Sequence, residues 1–301
     1  MGKSMKQRLR RTMMFLNTQR AGLVKDAFIY GADSLILDLE DAVAENQKDS
    51  ARFSLFHTLR SGLYGNTECF VRINGTDTPY WREDIRAAVA GNCDGIRIPK
   101  CETPVDVHIV EREIERAEKE FGIASGSTML MAAIESPLGV INACELASCT
   151  SRMMGVALGA GDYIRTLHAR MTAGAEAMLL ARAQIVLAAR AADVMCFDAV
   201  HTDIEDEEGL VRQTALIRDM GFDGKSIISP KQIAAVHRVF TPDRREITGA
   251  ERLISAYQES RRCGVGVFVL DGKMVDIAML EGAQRTLRLA KAAGCYKGDV
   301  E

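Results

Sequence analysis

The sequence predicts an α/β fold, and within that class a closed barrel of eight parallel strands followed by a C-terminal helical extension. Three observations carry the prediction. Short apolar, β-rich runs alternate with longer amphipathic stretches along the chain, as parallel strands joined by helical crossovers do. Three of those runs end in acids: Ser34-Leu35-Ile36-Leu37-Asp38-Leu39-Glu40-Asp41, Leu130-Met131-Ala132-Ala133-Ile134-Glu135 and Val156-Ala157-Leu158-Gly159-Ala160-Gly161-Asp162. The C-terminal ends of barrel strands face one rim, where chemistry is done. Finally, 301 residues suit one barrel plus an appendage, since such barrels take about 250 residues. Alternation alone also fits an open doubly wound sheet, but eight repeats are the number that closes a TIM (β/α)8 barrel.

In chain order the strands are expected at Thr12–Leu16, Ser34–Leu39, Cys69–Ile73, Gly95–Pro99, Thr128–Ile134, Gly155–Ala160, Met195–Ala199 and Lys225–Ser229. Helical patterns fall between them at Arg20–Tyr30, Asn46–Arg60, Trp81–Ala90, Val105–Phe121, Leu138–Cys149, Ala175–Ala191 and Glu207–Met220, with Gln232–Phe240 as the eighth. Gly31, Gly91 and Gly221 each follow a helix and lead into a strand, as glycine at a helix C-terminus does. Pro137 sits at a helix start, where a missing N–H costs little. Glu205-Asp206-Glu207-Glu208 opens another, where acids complement the macrodipole. The barrel is therefore assigned to residues 1–240 and the extension to 241–301. In the extension, Ile247–Cys263 reads as a helix. Val265–Leu270 and Lys273–Val275 form a hairpin about the Asp271-Gly272 turn signal. Asp276–Ala293 is a last helix with Leu280, Leu287 and Leu289 on its apolar stripe. Closing a barrel does not need this tail, which suits a flap or an oligomer contact.

Bulk properties narrow the function. A net charge of −3 offers no basic field for nucleic acid. No apolar run approaches the roughly 20 residues that span a bilayer. Met1–Arg11 is basic without the apolar segment of a signal peptide, and is expected to be a short solvated arm. The eight cysteines include no Cys-x-x-Cys pair, so most are expected to be free thiols of a cytoplasmic, reducing environment.

Nucleotide motifs fail on inspection: Gly159-Ala160-Gly161 lacks its third glycine, and Asp219 stands where a phosphate loop ending in Gly224-Lys225-Ser226 needs its first. No histidine pair has zinc-helix spacing. The acids remain. Glu135 and Asp162 lie 27 residues apart, about one strand–helix–strand unit, so they would cap neighbouring strands and share an ion. Converging carboxylates repel unless a cation sits among them, and two carboxylates plus waters suit Mg²⁺. The alternative is that Glu135 is a helix cap and Asp162 a loop residue. Arg72 closes its strand beside the acids and suits an anionic substrate, or else forms a structural ion pair with Asp38, Glu40 or Asp41. Lys100 would meet substrate or lie on the surface. Asp276 reads equally as a cap for the last helix.

Together these pieces resemble the citrate lyase β-subunit family, within the larger malyl-CoA/citramalyl-CoA lyase and class II aldolase group. The matching motifs run nearly end to end: Leu37 to Val43, Val71-Arg72-Ile73-Asn74, Arg97-Ile98-Pro99-Lys100, Ala133 to Gly139, Ala157 to Tyr163, Met220 to Ser226 and Asp271 to Asp276. The resemblance implies a TIM barrel with Mg²⁺ on Glu135 and Asp162, and Arg72 on a substrate carboxylate. It implies cleavage of a citryl thioester to an acetyl thioester and oxaloacetate. The thioester would be carried on an acyl carrier protein (the γ subunit) or on CoA, beside an α subunit that makes it, in a homo-oligomeric assembly. In CoA-lyase relatives the aspartate matching Asp276 comes from a neighbouring subunit and handles the α-proton. The candidates are thus Asp276, Glu40 and Asp38 for catalysis, Arg72, Glu135 and Lys100 for substrate, and Glu135 and Asp162 for metal. The chain departs from the pattern at Phe15-Leu16-Asn17-Thr18, at Ser229-Pro230-Lys231-Gln232, at Ile277-Ala278, and at Gly161, where a glutamate is usual. Two other readings stay open: a malyl- or citramalyl-CoA-type lyase or thioesterase on free CoA esters, and a non-catalytic scaffold subunit.

Overall fold

Eight parallel strands close on themselves: β1 (Thr12–Asn17), β2 (Ser34–Asp38), β3 (Glu68–Arg72), β4 (Gly95–Ile98), β5 (Met129–Ile134), β6 (Met153–Leu158), β7 (Met195–Asp198) and β8 (Gly224–Ile227). Each pairs with the next, and β8 pairs back to β1 through Thr12↔Lys225, Met13↔Ser226 and Met14↔Ile227. Closure decides for the barrel against the open sheet. The computed structural model describes residues 8–65, 67–172, 174–262, 268–270 and 272–299. β2, β5 and β6 are buried along their whole length, because a barrel strand packs side chains both inward and against the helix layer. Met13, Ile36, Phe70, Met131, Ala157 and Phe197 belong to the core. Gly95 makes room for it: a Cβ there would stand 2.3 Å from Phe70 Cε1.

Arg10 overturns the expectation of a solvated N-terminal arm. It is 2% exposed. Its Nε and Nη2 each donate to Glu68, at 2.7 Å, at the start of β3. Ser34 Oγ donates to the same carboxylate at 2.8 Å. A basic run read as solvated thus contains the ion pair at the strands' N-terminal ends, and Arg11 is paired with Asp33 at 2.8 Å. Residues 1–7 lie outside the described residues.

The helices are α1 (Ala21–Lys25), α2 (Lys48–Arg60), α3 (Trp81–Ala90), α4 (Pro104–Phe121), α5 (Pro137–Ile141), α6 (Ala143–Ser148), α7 (Ala160–Thr166), α8 (Leu179–Ala192), α9 (Glu207–Met220) and α10 (Ile233–Phe240), then α11 (Arg244–Arg262) and α12 (Ile277–Ala292). The stretch expected as one helix over Leu138–Cys149 breaks at Asn142, whose Nδ2 donates to the Glu102 carbonyl at 2.8 Å. α7 was not expected; seven residues are too few to show a helical period. Thr103 and Asp106 form a capping box for α4 behind Pro104. Gly31 and Gly221 take the left-handed cap conformation, but Gly91 does not. Asn92 does so instead at φ 64°, while Gly91 is required by packing, since its Cβ would meet Leu59 Cδ1 at 2.7 Å.

The chain divides into two compact units, Arg10–His237 and a second that takes in the chain from Arg238 onward. Within the second, α11 and α12 pack through Ala250, Ala283 and Leu287, with Ile247, Leu253, Ile254 and Tyr296 against them. Of the expected stripe only Leu287 is buried; Ala283 and Ala290 share its face. β9 (Phe268–Leu270) and β10 (Lys273–Val275) form the antiparallel hairpin, with Gly272 at φ 76° in its turn. Val265–Val267 and Asp271, parts of that expected hairpin, lie outside the described residues. The seven described cysteines are free. Among the described residues no helix is long and apolar enough to cross a membrane.

Candidate active site

Glu135 follows the last residue of β5. It is not the cap of the following helix. Ser136 takes that role, accepting from Gly139 N at 3.2 Å, with Pro137 at the first helical position. The Glu135 side chain is left free to face the C-terminal mouth of the barrel. It is 5% exposed and has no hydrogen bond or ion pair with any described residue. Burial raises its pKa to about 7, opposed by the positive charges of Arg97 and Arg72 and reinforced by the negative charges of Glu40 and Asp162. Gly159, just beyond β6, lets the two strand ends approach: a Cβ there would come within 2.5 Å of Glu135 Cγ.

Asp162 is neither a strand-end nor a loop residue. β6 stops at Leu158, and Asp162 lies in the first turn of α7, where a carboxylate complements the helix dipole. Arg165 donates to its Oδ1 from Nη2 at 2.6 Å and from Nε at 3.1 Å. Glu135 and Asp162 nevertheless line one cleft of about 150 Å³, together with Asp41, Arg72, Arg97, Phe15 and Ser226. Gly161 also lines it, and a Cβ there would meet nothing within 4 Å, so packing does not demand a glycine.

Arg72 forms the structural ion pair that was one of its two expected readings. It lines the cleft, and it is held from behind. Nε and Nη2 donate to the two oxygens of Asp38, each at 2.7 Å. Nη1 lies 2.8 Å from Glu40 Oε2, a contact of charges rather than a hydrogen bond. Asp38 also accepts from the Glu40 and Ala42 backbone N–H groups, and Lys48 Nζ donates to the Leu39 and Glu40 carbonyls. The loop after β2 is thereby fixed, and with it the guanidinium. Burial raises the Glu40 pKa, against the pull of Arg72 and Lys100. Lys100 donates to Glu40 Oε1 at 2.8 Å, stands half-exposed and holds φ 51°. Asp276 belongs to the second unit, where its Oδ1 caps α12 by accepting from Met279 N at 3.1 Å.

Two residues at the cleft carried no assignment from sequence. Arg97, third of the four residues of β4, is 3% exposed. Among the described residues its Nε has no partner, and its Nη1 reaches only Ser226 Oγ at 3.4 Å and Met131 Sδ at 3.7 Å. Burial lowers its pKa to about 10, opposed by Glu135 and assisted by Arg72. The Phe15 ring lies against both guanidinium groups, 5.0 Å from Arg72 and 5.1 Å from Arg97, within cation–π range. The available signal was a lone charge inside a short apolar strand, in register with Arg72.

Among the described residues no group of three or more His, Cys, Asp or Glu side chains is arranged to hold a metal ion. A two-carboxylate site does fit the residues present: a buried carboxyl without a partner among the described residues, a second acid in the same cleft, and Gly159, whose lack of a Cβ leaves room for the Glu135 side chain. Mg²⁺ is commonly held by one or two carboxylates with water and substrate oxygens completing its shell.

Residues 11–230 match the HpcH/HpaI aldolase/citrate lyase family. The chain is 48% identical over 286 residues to the citrate lyase subunit beta of Leuconostoc mesenteroides subsp. cremoris, covering 95% of each. It is 35% identical over 286 residues to a (3S)-malyl-CoA thioesterase of Cereibacter sphaeroides, covering 95% of this chain and 96% of that one. Among solved structures, protein CitE from Mycobacterium tuberculosis in complex with magnesium, acetoacetate and coenzyme A is similar at a TM-score of 0.78 and 30% identity, covering 94% of this chain and 98% of that chain.

Proposed function

The chain belongs to the HpcH/HpaI aldolase/citrate lyase family, and from that premise we infer that it is the β subunit of a citrate lyase. It is a lyase of citrate lyase type. The reaction we assign is Mg²⁺-dependent cleavage of a citryl thioester, on an acyl carrier protein or on CoA, to oxaloacetate and an acetyl thioester. One observation carries the assignment: a buried, unpartnered Glu135 carboxyl shares a cleft with Asp162 and two guanidinium groups. The magnesium in the similar Mycobacterium tuberculosis structure supports the choice of ion.

Glu135 and Asp162 would hold the ion. Bound there, Mg²⁺ polarises substrate oxygens and makes an adjacent hydroxyl more acidic. Arg72, its orientation fixed by Asp38, binds the carboxylate on the carbinol carbon and sets the pose of the bond to be broken. A carboxylate of the loop after β2, where Asp41 lines the cleft, takes the hydroxyl proton. The carbon–carbon bond then breaks. The carbinol carbon becomes the ketone of oxaloacetate, and the electron pair passes to the thioester as an enolate. The acid we assign to protonate the enolate carbon is Asp276 of a neighbouring copy of the chain, as the resemblance to the CoA lyases implies. Lys100 supports Glu40 through their ion pair, and its exposed ammonium is available to the thioester's anionic carrier.

The test is direct. Incubation with citryl-CoA and MgCl₂ should yield oxaloacetate and acetyl-CoA by mass spectrometry, with yield lost on chelation. Assaying citryl-CoA against a citryl carrier protein, with and without the α subunit, identifies the native donor. The Cereibacter sphaeroides relative favours one second reading, a malyl- or citramalyl-CoA-type enzyme. Faster turnover of malyl-CoA than of either citryl thioester would establish that reading instead. Absence of turnover on all of them, with tight binding to partner subunits, would leave the scaffold role.

A further inference from the structure

The two guanidinium groups of the cleft are in opposite electrostatic states. Arg72 is neutralised by the protein, with Asp38 bidentate and Glu40 beside it. Arg97 has no ion pair with any described residue, one orphaned donor and only a weak hydroxyl contact. A buried, uncompensated charge costs several kcal/mol, so a folded chain that keeps one places it where a ligand supplies the counter-charge. Glu135, the acid whose charge acts most on Arg97, is committed to the cation in the reading above. The counter-charge must then come from substrate.

We propose that Arg97, with Ser226 beside it, binds the second free carboxylate of the acyl group, the one on its CH₂–COO⁻ arm, and so selects that acyl group over one with a methyl in its place. This rests on the lyase reading of the same cleft. That reaction's acyl group carries two free carboxylates. One is on the carbinol carbon, where Arg72 holds it. The other ends a one-carbon arm that needs its own cation on the cleft wall. Arg72 and Arg97 are register partners on adjacent strands, and the ring of Phe15 lies against both. The two cations therefore stand side by side along the rim, as the two carboxylates of one small molecule require. Replacing the arm by a methyl would leave Arg97 buried without a partner, and a site built around a polar group rejects analogues lacking it more strongly than an apolar pocket does.

The experiment compares Arg97→Met and Arg97→Lys with wild type, in MgCl₂, for equilibrium binding of oxaloacetate and of pyruvate, which lacks the second carboxylate. Arg97→Met should weaken oxaloacetate binding by about 30-fold or more and change pyruvate binding by less than about 3-fold. Arg97→Lys should recover part of the oxaloacetate affinity. Arg97→Met should also melt no lower than wild type, which a structural arginine would not allow. The ratio of kcat/KM for citryl-CoA over citramalyl-CoA should fall with the oxaloacetate affinity. Equal loss for both ligands, no loss for oxaloacetate, or a wild type indifferent between them would each overturn the proposal. Failure of the lyase reading looks different: wild type would leave citryl-CoA uncleaved while its preference for oxaloacetate over pyruvate still depended on Arg97.

Discussion

The two ends of the barrel use the same residue types to opposite effect. At the N-terminal end Arg10 and Glu68 meet in a bidentate pair, 2% and 1% exposed, with Ser34 completing the carboxylate. At the C-terminal mouth Arg97 and Glu135 are also buried, yet neither has an ion-pair partner among the described residues. Buried charges are tolerated when paired and costly when not. The contrast therefore separates an end whose charges satisfy one another from an end whose charges are left for a ligand in the proposed reading. Barrel folds divide their labour in the same way.

The largest effect expected is at the mouth. Glu135→Ala or Asp162→Ala should lower citryl thioester cleavage by roughly 10³-fold or more without lowering the melting temperature, as thermal scans alongside activity would check. Turnover within tenfold of wild type in either variant would remove the metal assignment. Next is the opposite end. Glu68→Gln strands the Arg10 charge and should cost about 3–5 kcal/mol of stability, read by denaturant unfolding, with activity per folded molecule unchanged.

A pH series sharpens the comparison. The Glu135 pKa of about 7 lies above its ordinary value of 4.5, so the folded chain keeps a proton that the unfolded chain releases across that window. Stability without metal is therefore unaffected below the ordinary value and declines as pH rises toward 7. Glu135→Gln removes the penalty. In EDTA it should match wild type near pH 4.5 and exceed it at pH 8, by up to about 3 kcal/mol. A constant offset at both pH values would mean the carboxyl is not perturbed. The smallest effect concerns Lys100. Its pair with Glu40 is half-exposed, and Lys100→Met should change stability by less than about 1 kcal/mol, while a larger loss would show the network to be cooperative.

Much of this was legible in the sequence because strand periodicity and strand-end acids are local. The eight strands sit within a residue or two of the expected positions, and Glu135 and Asp162 do reach one cleft. What failed was either too short to show a pattern or not local. The short helix α7 carries Asp162, and seven residues show no period. Arg10 belonged to a basic run that reads as solvated, and only the closing of the barrel brings Glu68, 58 residues away, to meet it. Arg97 was visible as a charge within a strand, but its isolation depends on neighbours from other strands.

By itself the sequence determined an eightfold strand–helix plan, because a repeated pattern of this length has few ways to bury its apolar faces, and the β8–β1 pairing then settled closure against an open sheet. The sequence also determined which strand ends carry acids, since a side chain's place on a strand follows from a period of two. Only the tertiary structure decided which charges are satisfied. Pairing depends on distances across the barrel, and no spacing along the chain encodes whether Arg72 or Arg97 finds a carboxylate waiting.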